Sequence, residues 1–215
     1  MIIAMIFFLI VLDLLAQMVY ICKYPKSLSI PHNARWFLIH SISNGVISYY
    51  GSEDLIYCLY NTSTCINRDI STNSVTSYYM ALILHLYHII VFRTHLTKDE
   101  WIHHGIMIGL GIPFTSFNQN CVLTVALCFL TGYPGMVDYF LLWLVKLKLL
   151  EKKIQRKYSA IINIWIRSPG CLFSCFLGIP LLLNYSLLHF FLGGLCFWNS
   201  QYYMVKSIQA TDLNW

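Results

Sequence analysis

The sequence contains few charged residues: only 11% of its 215 residues are Asp, Glu, Lys or Arg, against about 25% in average soluble proteins. Hydrophobic residues make up 58% of the chain. Apolar runs of about 20 residues recur along it, and each is long enough to cross a bilayer core of about 30 Å as a helix. The composition therefore excludes an ordinary soluble domain and indicates an integral membrane protein.

The apolar runs also lack the two-residue alternation of apolar and polar side chains that is typical of a membrane β-barrel. Helices satisfy their backbone hydrogen bonds internally, so continuous apolar runs favour helical spans. We predict an all-α multi-pass membrane protein with about seven transmembrane helices. The predicted spans are 2–21, 34–51, 76–93, 101–117, 121–147, 168–184 and 186–206.

Several motifs are missing. The eight Cys include no C-x-x-C pair, which gives no support to a zinc ribbon or a thioredoxin-type site. There is no zinc-finger or RNA-binding motif, and the basic residues fall in short loops, so we predict no nucleic-acid partner. A membrane di-iron desaturase would need more clustered His. The sequence therefore predicts neither a metal nor a cofactor.

The N-terminus lacks a basic n-region and a small-residue cleavage site, so we predict that its first apolar run is an uncleaved span. With an odd number of spans and the N-terminus outside, 13 of the 14 basic residues face the inside, and Arg68 is the exception. The positive-inside rule therefore predicts an outside N-terminus and an inside C-terminus.

The loop between the second and third spans agrees with this orientation. It contains more acidic than basic residues and includes the sequon Asn61-Thr62-Ser63, which is a glycosylation acceptor in a secretory compartment. Cys58 and Cys65 flank the sequon. They could form a disulfide in an oxidising lumen, or remain free thiols.

Polar residues inside the predicted spans define a candidate site, because ionisable groups are costly in lipid. The relevant side chains all fall in the inner half of the bilayer under the predicted topology. Asp138 lies about 15 Å from the inner end of its helix at 1.5 Å per residue. His40 and Asn44 are four residues apart and share a helix face, as do His85 and His88.

A second pattern lies in the fifth predicted span, where Thr124, Thr131 and Asp138 recur every seven residues with Cys128 and Gly135 between them. On a straight helix these residues form one small or polar stripe. The stripe could be a helix-packing surface or could line a cavity. Asp13 is the other carboxylate within a span, and the sequence gives it no partner.

From about Arg35 to Lys206 the chain resembles the TLC-domain family, which includes ceramide synthases and translocation-associated membrane proteins. The resemblance rests on three motifs. These are Arg35-Trp36-Phe37-Leu38-Ile39-His40-Ser41 with Asn44, the pair His103-His104, and Asp138-Tyr139-Phe140-Leu141-Leu142 followed by Lys146.

The resemblance implies a six-helix core around a lipid-accessible central cavity. It would comprise residues 34–206, with an N-terminal helix and basic inner loop at 1–33 and a short inner tail at 207–215. Ceramide synthases carry a longer signature, His-Asp-x-x-Asp followed by Leu-Glu and Lys. Pro134, Gly135 and Leu142 replace its first His, its first Asp and its Glu, so we expect no ceramide-forming activity.

Three functional hypotheses remain open. The chain could bind or regulate a sphingolipid, phospholipid or fatty-acyl species in a central cavity. It could be an acyl-CoA-dependent acyltransferase in which His103 or His104 acts as base or nucleophile and Asp138 orients the imidazole. It could also be a non-catalytic subunit of a membrane assembly.

For the lipid-binding hypothesis the expected headgroup contacts are His40, Asn44, His88, Thr131 and Arg167. The basic stretch 146–157 would attract anionic headgroups or the phosphates of an acyl donor. Expected partners are membrane lipid, acyl-CoA for the enzyme hypothesis, and another membrane protein or a second copy of the chain. The expected location is the endoplasmic reticulum or another endomembrane.

Overall fold

The computed structural model describes residues 1–23, 32–111, 113, 119–185 and 187–211. Within these ranges the chain is helical and contains no β-strand, which confirms the predicted all-helical class. We number the α-helices of this part in chain order: α1 (Ile2–Lys23), α2 (His32–Tyr60), α3 (Val75–Phe92), α4 (Lys98–Ile106), α5 (Cys121–Leu127), α6 (Tyr133–Lys146), α7 (Lys152–Ile162), α8 (Ser168–Tyr185) and α9 (Leu187–Gln209).

Three π-helical turns extend or join these helices. Met107–Gly111 continues α4, Cys128–Gly132 joins α5 to α6, and Asn163–Arg167 joins α7 to α8. The second of them ends two residues before Pro134. Proline has no N–H to donate and its ring clashes with the carbonyl four residues back, so a wider turn before it relieves the conflict.

Four helical stretches are long and apolar enough to cross a membrane: Ile2–Ile21, Val75–His95, Cys121–Lys146 and Lys152–Ile179. The predicted span in α2 does not reach this level, because α2 carries polar residues such as Asn44, Glu53 and Asp54 along its length. The apolar stretch that begins in α4 is short as a described helix. Membrane insertion is consistent with these four helices, and the count of seven spans stays a prediction.

Two helical segments lie outside the predicted spans. Helix α2 ends at Tyr60 rather than near residue 51, because its polar extension is held by the following loop. Asp54 accepts hydrogen bonds from the backbone N–H of Ser71 at 3.3 Å, and Ser74 donates to the carbonyl of Tyr50 at 3.0 Å. The basic stretch after α6, predicted as an inner loop, contains the helix α7.

Helix α2 packs against α1, α3, α5 and α6, and small residues make these contacts close. A Cβ on Gly51 would lie 2.5 Å from the Sγ of Cys128, and one on Gly132 would lie 2.7 Å from the Oγ of Ser48. Thr124 is completely buried. The predicted stripe is therefore a packing surface against α2 from Thr124 to Gly135. Its last residue, Asp138, bonds to Gln155 of α7 instead.

The last two helices, α8 and α9, form an antiparallel pair. Gln201 donates to the Oγ of Ser168 at 2.8 Å, and the Cys175 thiol lies 3.4 Å from the carbonyl of Gly193. The first helix ends at Tyr185 and the second begins at Leu187. The chain therefore reverses where the sequence predicts a boundary between two spans.

An ion pair joins α1 to α2. Arg35 donates through Nε to Asp13 at 2.7 Å and also through a terminal guanidinium nitrogen. Tyr87, from α3, donates to the same carboxylate at 3.0 Å. The side chains of Asp13 and Arg35 are only 7% and 14% exposed. Asp13, to which the sequence assigned no partner, therefore anchors the first helix to the core.

A disulfide joins Cys58 to Cys65, one of the two possibilities that the sequence allowed. A third cysteine, Cys121, lies against both sulfur atoms. Its Sγ is 3.4 Å from that of Cys58 and 3.2 Å from that of Cys65. All three residues are completely buried. The loop after α2 is thus fixed to the start of α5 by a compact sulfur cluster.

This cluster predicts which disulfide forms when one partner is removed. In Cys65→Ser we expect Cys58 to pair with Cys121 under the conditions that oxidise the parent protein, because their sulfur atoms are already in contact. Mass spectrometry of non-reduced peptides would detect the new bond. Cys128→Ser should leave the Cys58–Cys65 bond intact, and a free, alkylatable Cys58 in Cys65→Ser would contradict the prediction.

Candidate functional site

Four histidines from α3 and α4 meet in one cluster, which we call the histidine cluster: His85, His88, His103 and His104. The first two lie three residues apart on α3, so they share a face of that helix. The other two lie on α4, which begins with a capping box. Thr97 accepts from the N–H of Glu100 at 3.3 Å, and Glu100 accepts from the N–H of Thr97 at 2.7 Å.

Hydrogen bonds orient three of these rings. The Nε2 of His104 lies 2.8 Å from the Nδ1 of His88, and the Nδ1 of His85 lies 2.7 Å from the carbonyl of Ala81. A carbonyl only accepts, so His85 carries a proton on Nδ1, and in the neutral ring Nε2 holds the lone pair. The Nδ1 of His104 is buried and has no hydrogen-bond partner.

His40 lies beside the histidine cluster rather than inside it. Trp36 separates them: its ring stacks on His88 with centroids 3.3 Å apart and meets His40 edge-on at 4.4 Å. On its other side His40 stacks on Tyr139 at 4.0 Å. An aromatic layer therefore connects the cluster to α6.

Asp138 lies elsewhere. It accepts a hydrogen bond from Gln155 of α7 at 3.1 Å and forms no hydrogen bond with any histidine among the described residues. The acyltransferase hypothesis needs Asp138 to orient His103 or His104, and the geometry gives that pairing no support. The catalytic roles of these three residues stay a prediction.

Asp138 instead lines a cavity of about 270 Å³ between α6, α7 and α9, which we call the cationic cavity. Three basic side chains accompany the single carboxylate, so the lining carries a net charge of +2. The other residues of the wall are polar or small. The full lining is Asp138, Gln155, Arg156, Ser159, Asn163, Arg167, Tyr203, Lys206, Ser207 and Ala210.

Arg167 is the most deeply placed cation of this cavity, at 8% exposure. One guanidinium nitrogen donates to the Oδ1 of Asn163 at 2.7 Å, and its guanidinium carbon lies 5.4 Å from the centre of the Tyr203 ring. Its Nε is buried and has no hydrogen-bond partner. No carboxylate forms an ion pair with Arg167 in the described part of the chain.

The other predicted headgroup residues contact each other instead of a cavity. Thr131 donates to the Oδ1 of Asn44 at 2.9 Å, and Asn44 is completely buried against Gly135. Both belong to the packed surface between α2 and α6. Of the predicted set, Arg167 lines the cationic cavity and His88 belongs to the histidine cluster.

Several residues of these two sites were not predicted from the sequence. The sequence assigns His85 neither a catalytic nor a headgroup-binding role. In the cationic cavity the sequence does not predict Gln155, Ser159 or Asn163. Together with the predicted Arg167 they recur every four residues, which places them along one helix face. That spacing could have indicated a polar helix face. It was overlooked because residues 148–167 lie between two predicted spans and were treated as a loop.

Comparison with known proteins finds no family model, no curated protein and no solved structure that matches the chain. The resemblance to TLC-domain proteins therefore stays a prediction. The support for the two candidate sites therefore comes from the geometry of their residues.

Proposed function

We propose that the chain is a multi-pass membrane protein that binds the anionic headgroup of a phospholipid in the cationic cavity. The observation that carries the proposal is Arg167, a buried guanidinium with an unpartnered Nε and no acidic partner among the described residues. A buried charge is costly unless it is paired and hydrogen-bonded. A phosphate would supply both, since a guanidinium fork matches its oxygens.

The surroundings of the cavity support a lipid rather than a free anion. The helix α7 exposes Ile154, Tyr158 and, just past its end, Trp165, at spacings that place them on one side. Lys153 and Lys157 are exposed on the same stretch. An apolar stripe with basic neighbours is typical of a helix at the headgroup level of a membrane. A lipid bound there would place its phosphate at Arg167 and its chains beside the stripe.

The predicted topology gives this site a location. With an outside N-terminus, the end of α6 and the start of α7 lie on the inner side, where anionic phospholipids attract basic residues. The proposal keeps the lipid-binding hypothesis and the multi-pass, endomembrane location expected from the sequence. It does not rely on the acyltransferase hypothesis, because Asp138 lies in the cavity wall and bonds to Gln155.

The test compares two variants with opposite expected effects. Arg167→Gln should weaken binding of phosphatidylserine to the purified protein about 10-fold or more, because a charge-assisted hydrogen bond is worth about 1.5–3 kcal/mol. Asp138→Asn should strengthen it by about 2- to 5-fold, because it removes the one negative charge of the lining. Native mass spectrometry with a titrated lipid would measure both.

Lys98→Gln provides the control, since this exposed cation lies on α4 and does not line the cavity. It should change binding by less than about 2-fold. Two results would contradict the proposal: unchanged affinity in Arg167→Gln, or a preference for phosphatidylcholine that Asp138→Asn abolishes. The second result would point to a zwitterionic headgroup whose ammonium binds Asp138.

A further inference from the structure

We propose that His85, His103 and His104 bind a zinc ion, and that His88 holds His104 in position. This site lies between α3 and α4 and is separate from the cationic cavity. It goes beyond the lipid-binding function, and either proposal can fail without the other. It also revises the expectation from the sequence, which predicted no metal.

The first support is convergence. One ring nitrogen from each of the three histidines lies within 4.8 Å of the other two. Around a tetrahedral zinc with Zn–N distances of about 2.0–2.1 Å, neighbouring ligand nitrogens are about 3.3 Å apart. Zinc binding would therefore bring these nitrogens together by at most about 1.5 Å.

The second support is the hydrogen bonding of the nitrogens that would not bind the metal. His85 donates from Nδ1 to the carbonyl of Ala81, which leaves its Nε2 lone pair available. If His104 donates from Nε2 to the Nδ1 of His88, its buried and unpartnered Nδ1 is available as well. Metal-binding histidines characteristically have the second ring nitrogen held by such a partner, which fixes the tautomer and the ring orientation.

The third support is the lack of any other group to satisfy those lone pairs. In the described part of the chain, no group donates a hydrogen bond to the buried Nδ1 of His104. His85 and His104 are 8% and 3% exposed, so water has little access to them. A buried lone pair without a hydrogen-bond donor is costly, and a cation bound at this nitrogen would supply the missing partner.

The donor set selects the metal. Three neutral imidazoles suit zinc and other late transition metals, whereas Mg²⁺ and Ca²⁺ prefer oxygen ligands. Three protein nitrogens leave a fourth tetrahedral position free, as in zinc sites that bind water or a substrate oxygen. His103 is exposed, so that position would open on its side. Trp36 and Phe92 pack against His88, the residue that would hold His104 in position.

The test begins with the parent protein, so it does not depend on a variant that folds. Bound metal is first removed from the purified protein with a chelator. The protein is then incubated with excess zinc chloride and freed of unbound metal, and its zinc content is measured by elemental mass spectrometry. We expect about one zinc per chain. With cobalt(II) we expect the visible bands of a tetrahedral nitrogen site, without the thiolate charge-transfer band that Cys58, Cys65 or Cys121 would add. A parent protein that retains no zinc would overturn the proposal.

Variants then locate the ion. His85→Ala and His104→Ala should each abolish retention, and His95→Ala, which changes an exposed histidine outside the cluster, should retain about one zinc. His88→Gln should still bind at high zinc but with about 10- to 100-fold weaker affinity, as expected for a residue that positions a ligand. Full zinc retention in the His85→Ala/His104→Ala double variant would show that the ion binds elsewhere and would reject the site.

Discussion

Replacing Arg35 with Ala should lower the free energy of unfolding by about 3–5 kcal/mol, the usual cost of leaving one member of a buried ion pair unpaired. Among its described hydrogen bonds Asp13 would then keep the one from Tyr87, between apolar neighbours on α1. To measure this, the protein is purified in a mild detergent and unfolded by titration with a denaturing detergent.

Two further variants separate the ion pair from a general effect of mutation. Asp13→Leu combined with Arg35→Met should lie within about 1 kcal/mol of the parent, because a buried pair can be replaced by apolar residues of similar volume. Arg93→Ala, at an exposed arginine, should change stability by less than about 0.5 kcal/mol. A double variant as unstable as Arg35→Ala would show that packing, and not charge, holds α1 in place.

The second large effect is expected at Gly170, near the start of α8. A Cβ at this position would overlap the Phe129 side chain, and the atoms it meets include the Phe129 Cβ. Rotation of the Phe129 ring does not move its Cβ, so the overlap can be removed only if one helix backbone shifts. We expect Gly170→Ala to destabilise the protein by about 2–3 kcal/mol, the cost of overpacking a close contact.

Gly178 provides a matched control on the same helix. A Cβ there would meet nothing within 4 Å, so Gly178→Ala should be neutral or stabilising by about 0.5–1 kcal/mol through helix propensity. Phe129→Ala should remove most of the additional cost of Gly170→Ala, and a double-mutant cycle would measure this coupling. Equal effects of alanine at Gly170 and Gly178 would show that the two helices do not approach closely at Gly170.

The sequence predicts the helical class because long apolar runs must satisfy their backbone groups internally. It also predicts the span Cys121–Lys146 almost to its ends. It fails for α2 and α7, which are helical beyond or outside the apolar runs. In both helices the polar residues find partners in neighbouring elements, and hydropathy along the chain does not contain that information.

The candidate site was predictable in part. Spacing places His85 with His88 on one helix face, and adjacency places His103 beside His104. Depth in the membrane, however, is one coordinate of three, so residues at the same depth can face different neighbours. That is why the predicted group divides between the histidine cluster and the cationic cavity.

The π-turn before Pro134 explains that division through helical register. Its i to i+5 hydrogen bond, from the N–H of Tyr133 to the carbonyl of Cys128, adds one residue to the helix and rotates everything after it by about 100°. On an uninterrupted α-helix the seven-residue repeat would bring Asp138 to the α2 side. With the added residue, Tyr139 takes that place and stacks on His40. One wide turn has thus exchanged a carboxylate for a phenol beside the histidines and directed the carboxylate toward the arginines.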